Sequence, residues 1–281
     1  MPTAQSGSAR IHYEASGRGP AVLLIMGLAM AASGWWRTVP VLSKSFRVLT
    51  FDNRGIGRSG SGGSYSMREL ADDAVAVLDA AGEETAHVYG ISLGGMIAQE
   101  LALRHPQRVR SLVLGATTAG GPGAPHADRA TLDFFRRAAG MEAEEAIWAS
   151  VPYSYAKFTR PADVVRIGED LARRLASPAD RSVYARQVGA GIGHDTSFRL
   201  DEVDVPTLIV HGNEDRVVPV ENARLLAEAV PRAELRTFAG AGHLYTTDEP
   251  KADQHVARFL RERTKTRPLT ERLRSVLPHA D

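Results

Sequence analysis

Between His87 and Glu100 the chain reads HVYGISLGGMIAQE, with Ser92 flanked by Gly90 two residues before and Gly94 two residues after. An apolar run ends at the serine and a helical pattern begins at Leu93, so Ser92 falls on a strand-to-helix turn. A turn that sharp strains its central residue and brings the flanking residues against neighbouring backbone, where a β-carbon would clash. The two glycines supply that clearance and leave the hydroxyl exposed above the strand end. Amides at the start of the following helix point to the same place, ready for developing negative charge. The bland alternative is an ordinary glycine-rich turn, and the strand–turn–helix setting is what separates the two.

A serine hydroxyl attacks a carbonyl only when a base takes its proton and a third group orients that base. His243 in FAGAGHLY follows the last apolar run, and Asp215 in LIVHGNEDRVVP follows the run before it. Both then end strands at one edge of the sheet, where open α/β sheets hold their sites. The order serine, aspartate, histidine suits that architecture. Glu214 is the rival acid, and the loop pattern favours Asp215. With no cysteine in the chain, disulfides, thiolate nucleophiles and thiolate metal sites are excluded. No His, Asp and Glu spacing suits a metal, and no glycine-rich phosphate loop is present. A formal net charge of +1 gives no support for a nucleic-acid or polyanionic partner.

The elements that must position these groups alternate along the chain. RIHYEAS has the period of a half-buried strand, while PAVLLIM, FRVLTFD, AHVYGIS, VRSLVLGAT and VPTLIVHGN read as strands covered on both faces. Between and after them, SMRELADDAVAVLDAAG, LGGMIAQELALRHP, ENARLLAEAV and DEPKADQHVARFLRER have helical spacing. The first carries a Ser66 N-cap with Glu69 three residues on. This alternation predicts a doubly wound, mostly parallel sheet with helices on both faces. The interval 119–199 breaks the rhythm with helical patterns only, and is read as a cap inserted between core segments 1–118 and 200–263. Its aromatics Phe134, Phe135, Trp148, Tyr153, Tyr155 and Phe158 either line a cavity or form a small core of the cap. Residues 264–281 read as a basic tail. The apolar stretch 21–32 starts well inside the chain, is broken by Gly27 and is too short to cross a bilayer. It reads as a buried strand leading into a loop, and the expected location is the cytoplasm with no membrane partner.

With these residues in place, the chain resembles the α/β-hydrolase fold superfamily from about residue 10 to residue 263. MGLAMAASGWW, FDNRGIGRSG, GNEDRVVP and GAGH carry the likeness together with GISLGG. Within the superfamily it is similar to lid-bearing serine esterases, 3-oxoadipate enol-lactonase-like enzymes and polyketide methylesterase-like hydrolases. The resemblance implies Ser92 as nucleophile, His243 as base and then acid, Asp215 as the group that orients His243, and the Leu28 and Leu93 amides as oxyanion hole. It implies no cofactor. Met26-Gly27 stands where the family commonly has His-Gly, so Met26 and Met30 give the pocket an apolar wall; Trp148 and His194 are further candidates for the pocket. Asp52 and Arg54 read as structural, His211 as a satisfied core histidine, and Trp35 and Trp36 as packing for the oxyanion loop. The expected reaction is hydrolysis of a carboxylic ester or lactone of a small-molecule substrate, small to medium in size and hydrophobic. The same triad also serves C–C bond or thioester hydrolysis, perhydrolysis and lyase or cyclase steps, and a non-catalytic ligand-binding protein is the remote alternative. A carboxylate-nucleophile dehalogenase is disfavoured because Ser92 stands where it needs aspartate.

Overall fold

The computed structural model describes residues 2–265. Eight strands form one sheet: β1 (Thr3–Ser6), β2 (Ala9–Ser16), β3 (Ala21–Ile25), β4 (Arg47–Phe51), β5 (Ala86–Ile91), β6 (Val109–Gly115), β7 (Thr207–Gly212) and β8 (Ala233–Phe238). Their order is β1-β2-β4-β3-β5-β6-β7-β8, antiparallel at the β1–β2 and β2–β4 pairs and parallel elsewhere. This is the α/β-hydrolase architecture expected from the sequence. β3, β5 and β7 are buried at every residue, as strands covered by helices on both faces must be. β8 is an edge strand exposed along most of its length. The reading of the sequence missed β1, a four-residue strand returning through Gly7 at φ 54°.

Two apolar layers hold the sheet. Helices Met67–Ala80, Leu93–Arg104 and Glu221–Ala229 bury Leu70, Ile97 and Leu226 against one face. Helices Thr38–Leu42 and Ala252–Lys265 bury Leu42, Val256 and Leu260 against the other. The Met67–Ala80 helix starts with the expected capping box: Ser66 Oγ accepts from Glu69 N, and the Glu69 carboxylate accepts from Ser66 N at 2.9 Å. The last helix starts at Ala252, later than its sequence pattern implies. Pro250 separates it from the short turn Tyr245–Asp248, because the residue before a proline is pushed out of helical conformation.

Between β6 and β7 the chain forms helices Arg129–Ala138, Ala143–Ala149, Val151–Ser154, Thr159–Ala162, Val164–Leu175 and Arg181–Ile192. An isolated bridge between Gly120 and Asp195 joins the two ends of this insertion. The tail expected beyond residue 263 lies, from residue 266 onward, outside the described residues. Among the described residues no helix is long and apolar enough to cross a membrane.

One buried carboxyl makes the fold sensitive to pH. Asp253 Oδ2 accepts from Thr38 Oγ1 at 2.8 Å, while Oδ1 has no partner among the described residues. Burial pushes its pKa up to about 6 from the ordinary 3.8, against the lowering effect of Thr38. The folded form therefore holds this proton more tightly than the unfolded chain does. Its stabilising contribution is complete below about pH 4 and is lost as pH rises through 6. Asp253→Asn should abolish that decline and gain about 3 kcal/mol on the native protein at pH 7–8. Urea unfolding at several pH values between 4 and 8 reads this directly; parallel curves for the two proteins would refute it.

Candidate active site

Ser92 follows β5 with φ 56° and ψ −123°, a conformation costing on the order of 1–3 kcal/mol for a non-glycine residue. The surroundings hold it there: Ser92 N donates to Gly115 O at 2.8 Å, and Thr117 Oγ1 donates to Ser92 O at 2.8 Å. A β-carbon at Gly90 would lie 2.1 Å from Gly94 O, and one at Gly94 would lie 2.1 Å from Ile25 O. Both glycines are thus demanded by close backbone approach.

The loops after β7 and β8 bring two more groups to this edge. His243 Nε2 lies 3.0 Å from Ser92 Oγ, and His243 Nδ1 lies 2.8 Å from Asp215 Oδ2. Asp215 Oδ1 accepts from Val217 N at 2.8 Å and Val218 N at 2.9 Å. Burial alone would raise the Asp215 pKa, but His243 and His211 beside it bring it down to about 2. An ionised Asp215 accepts the Nδ1 proton of His243, which leaves the Nε2 lone pair facing the serine hydroxyl. Glu214 takes no part in this hydrogen-bond relay; its amide donates to Ala241 O at 2.8 Å.

His211, read as a satisfied core histidine, is fully buried in β7 but has a second function-bearing contact. Its Nε2 is 2.8 Å from Val218 O and 3.1 Å from Asp215 Oδ2. A carbonyl partner requires that nitrogen to carry a proton, so His211 is also a donor to the Asp215 carboxylate. Its Nδ1 has no partner among the described residues, which corrects the expectation that it is satisfied.

The segment after β3 lies against the serine: a β-carbon on Gly27 would be 3.2 Å from Ser92 Cβ. Three outside groups fix this loop. Asn53 Nδ2 donates to Met26 O at 2.8 Å, Asp52 Oδ1 accepts from Ala32 N at 2.8 Å, and Gln187 Oε1 accepts from Ala29 N at 2.9 Å. Ala29 is itself left-handed, at φ 57°. The amides of Leu28 and Leu93 have no hydrogen-bond acceptor among the described residues. Asp52 is therefore a brace, as read, and Arg54 forms a buried two-point pair with Asp73 at 2.6 and 2.9 Å. Trp35 is buried against Tyr89, and the Trp36 indole donates to Asp170 of the insertion at 3.0 Å.

Ser92 and His243 open into a cavity of about 390 Å³ whose near wall includes Met26, Leu28 and Met30. Phe134, Phe135 and Tyr153 of the insertion line its far side, with Phe134 and Tyr153 stacked at 4.5 Å. Tyr155 belongs instead to a small core with Ile167 and Leu171. Two expectations for the pocket are corrected. Trp148 is 53% exposed and faces away: on its helix the cavity is lined by Ala143, Ala146 and Ile147, and Trp148 is out of phase with them. His194 is buried outside the cavity, where the insertion rejoins the core. Neither of its ring nitrogens has a partner among the described residues, and burial lowers its pKa to about 4. Gln187, Arg174, which also lines the cavity, and the contact of His211 with Asp215 escaped the sequence reading. No spacing signal marks them, because their partners are distant in sequence or lie on irregular segments.

Among the described residues no group of three or more His, Asp or Glu side chains is arranged to hold a metal ion. The sequence model of the alpha/beta hydrolase fold family matches residues 20–250. The chain belongs to the α/β hydrolase fold family. As a family member it is 32% identical over 260 residues to a protein of Azorhizobium caulinodans named "Putative carbamate hydrolase RutD", covering 89% of this chain and 94% of that relative. Its structure is similar to Est816, an N-acyl homoserine lactone degrading enzyme, with TM-score 0.78 and 29% identity, covering 93% and 99% of the two chains. It is similar as well to the enol-lactonase of Burkholderia xenovorans LB400, with TM-score 0.82 over 92% and 99% of the chains. At 24% identity that last likeness speaks for the fold alone. The relatives and the family make this α/β hydrolase a hydrolytic enzyme.

Proposed function

We propose that this α/β hydrolase is a serine hydrolase that cleaves a carboxylic ester or lactone through an acyl-enzyme on Ser92. The observation that carries the reading is the unbroken chain Ser92 Oγ, His243, Asp215, at 3.0 and 2.8 Å, on a strained turn beneath a cavity. His243 Nε2 takes the hydroxyl proton as Ser92 Oγ bonds to the carbonyl carbon. The oxyanion so formed is held by the Leu28 and Leu93 amides. His243 then returns the proton to the leaving alkoxide, and the C–O bond breaks. Water, deprotonated by the same imidazole, cleaves the acyl-enzyme and restores Ser92. Each step balances with water as the only co-reactant, so no cofactor is needed. The apolar wall at Met26 and Met30 and the aromatics opposite favour a hydrophobic acyl or ring portion.

A second reading is supported by the relative named for carbamate hydrolysis: the same attack on a carbamate carbonyl. Turnover of p-nitrophenyl butyrate compared with a matched p-nitrophenyl N-alkylcarbamate decides between them. Faster release from the ester supports the first reading, and release from the carbamate alone overturns it. In either case a fluorophosphonate should lose fluoride and add its phosphonyl group to the peptide that contains Ser92.

Gln187 tests the oxyanion assignment from the other side of the cavity. Fully buried on the Arg181–Ile192 helix, it holds the Ala29 amide, one residue from Leu28. Removing an oxyanion donor costs on the order of 10²–10³ in kcat, so letting one drift should cost about tenfold. Gln187→Met is accordingly expected to lower kcat for p-nitrophenyl butyrate about tenfold with less than about threefold change in KM. A rise in KM with kcat unchanged would mean that the contact serves substrate access and leaves the oxyanion loop unaffected.

A further inference from the structure

We propose that Arg174 is an anion anchor within the cavity, and that the natural substrate carries a carboxylate that pairs with it while its reacting carbonyl sits on Ser92. The second half of this statement rests on the serine-hydrolase reading above; the first half does not.

Arg174 stands near the end of the Val164–Leu175 helix and lines the same cavity as Ser92 and His243. Its Nη1 donates to Ser150 Oγ at 3.0 Å, and Ser150 also lines the cavity. The Tyr155 hydroxyl lies beside the guanidinium, and burial pulls its pKa below the ordinary arginine value. The Tyr155 hydroxyl is a second hydrogen-bond partner and Asp170 attracts the charge from farther off, but among the described residues no carboxylate lies within 4.0 Å of the guanidinium. The acid one turn earlier, Asp170, is already engaged. It accepts from Trp36 Nε1 at 3.0 Å, from Thr247 Oγ1 and from the Tyr155 hydroxyl at 3.3 Å, and it lies 3.4 Å from Arg37 Nε.

The other charged side chains of the cavity are accounted for and stand near solvent. Arg181 pairs with Glu142 at 2.9 Å, and Asp180 caps its helix through Ser182 N. Arg174 is thus the cation of the cavity that has no carboxylate at ion-pairing distance. Taking a guanidinium out of water is costly, and two hydroxyl contacts offset only part of that cost. A purely structural link between the Val164–Leu175 helix and Ser150 would not need the charge. A planar fork with one positive charge and open N–H groups matches a carboxylate in shape and in charge. A phosphate dianion would leave one negative charge unbalanced here.

The test compares hydrogen p-nitrophenyl esters of adipate, suberate and sebacate with their methyl p-nitrophenyl diesters, so that chain length does not decide the outcome. In the wild-type enzyme the free acid of at least one length should exceed its methyl ester about tenfold in kcat/KM. Arg174→Met should bring that ratio to about one, and Arg174→Lys should fall between, since an ammonium keeps the charge but not the fork. A wild-type ratio of one or less for every length, or an unmoved ratio in Arg174→Met, overturns the proposal. If Arg174→Met does not fold, the wild-type ratio and Arg174→Lys decide. A second measurement is independent of turnover: calorimetric binding of the three dicarboxylates to Ser92→Ala, with and without Arg174→Met. Dicarboxylate binding weakened about tenfold by Arg174→Met, with no ester turned over by the wild type, leaves the anion site standing and retires the serine-hydrolase reading. Turnover of the methyl esters with no carboxylate preference and no dicarboxylate binding does the reverse.

Discussion

Ser92→Ala should lower kcat for p-nitrophenyl butyrate by roughly 10⁶-fold while leaving the unfolding free energy within about 1 kcal/mol of the parent protein. The first half follows from chemistry: without Oγ there is no atom to form the acyl bond, and His243 has no hydroxyl proton to remove. The second follows from the turn. The backbone contacts that hold residue 92 in its strained conformation run through its own amide and carbonyl, and alanine keeps both. The comparison needs purified protein and the fluorophosphonate control, because a trace of host esterase would hide a loss this large. Substantial turnover remaining in a clean sample would end the nucleophile assignment.

Asp215→Asn should be almost as damaging, about 10⁴-fold in kcat, for a reason visible in the hydrogen bonds. Asp215 Oδ1 faces two backbone donors, Val217 N and Val218 N, so an asparagine must place its carbonyl oxygen there. Its amide nitrogen then faces His243 Nδ1 and His211 Nε2. A donor at that point requires His243 to present a lone pair at Nδ1 and carry its proton on Nε2. That tautomer cannot accept the proton of Ser92. The defect therefore appears in kcat, and the protein still folds and still reacts slowly with fluorophosphonate. If Asp215→Asn retains activity within about tenfold of the parent, the orienting role passes to another group, with His211 the first to examine.

The parts of the site that rest on local geometry were legible in the chain. Gly90, Ser92 and Gly94 occupy a turn whose backbone crowding is set by its nearest neighbours. Asp215 and His243 follow apolar runs that had to be neighbouring strands, so their meeting at one edge was implied by strand order. Met26 and Met30 adjoin the end of β3, so they too could be placed beside Ser92. Trp148 misled, because a seven-residue helix in an insertion can rotate either face toward the cavity, and composition does not record which. His194 misled for a related reason: its position near the end of the insertion says nothing about whether the ring turns to the cavity or to the seam. Gln187 lies 158 residues from Ala29, and no periodicity links them.

What the sequence by itself determined is the fold and the set of groups available for chemistry. Period-two and buried apolar runs separated by helical segments allow few arrangements, and the strained serine turn requires its glycines wherever it occurs. Only the tertiary structure decided which side chains of the insertion face Ser92, that His211 also reaches Asp215, and that Arg174 enters the cavity without a carboxylate. Those facts depend on how helices rotate and dock on the sheet. Docking is settled by packing among residues far apart in the chain, and a linear pattern holds no record of it.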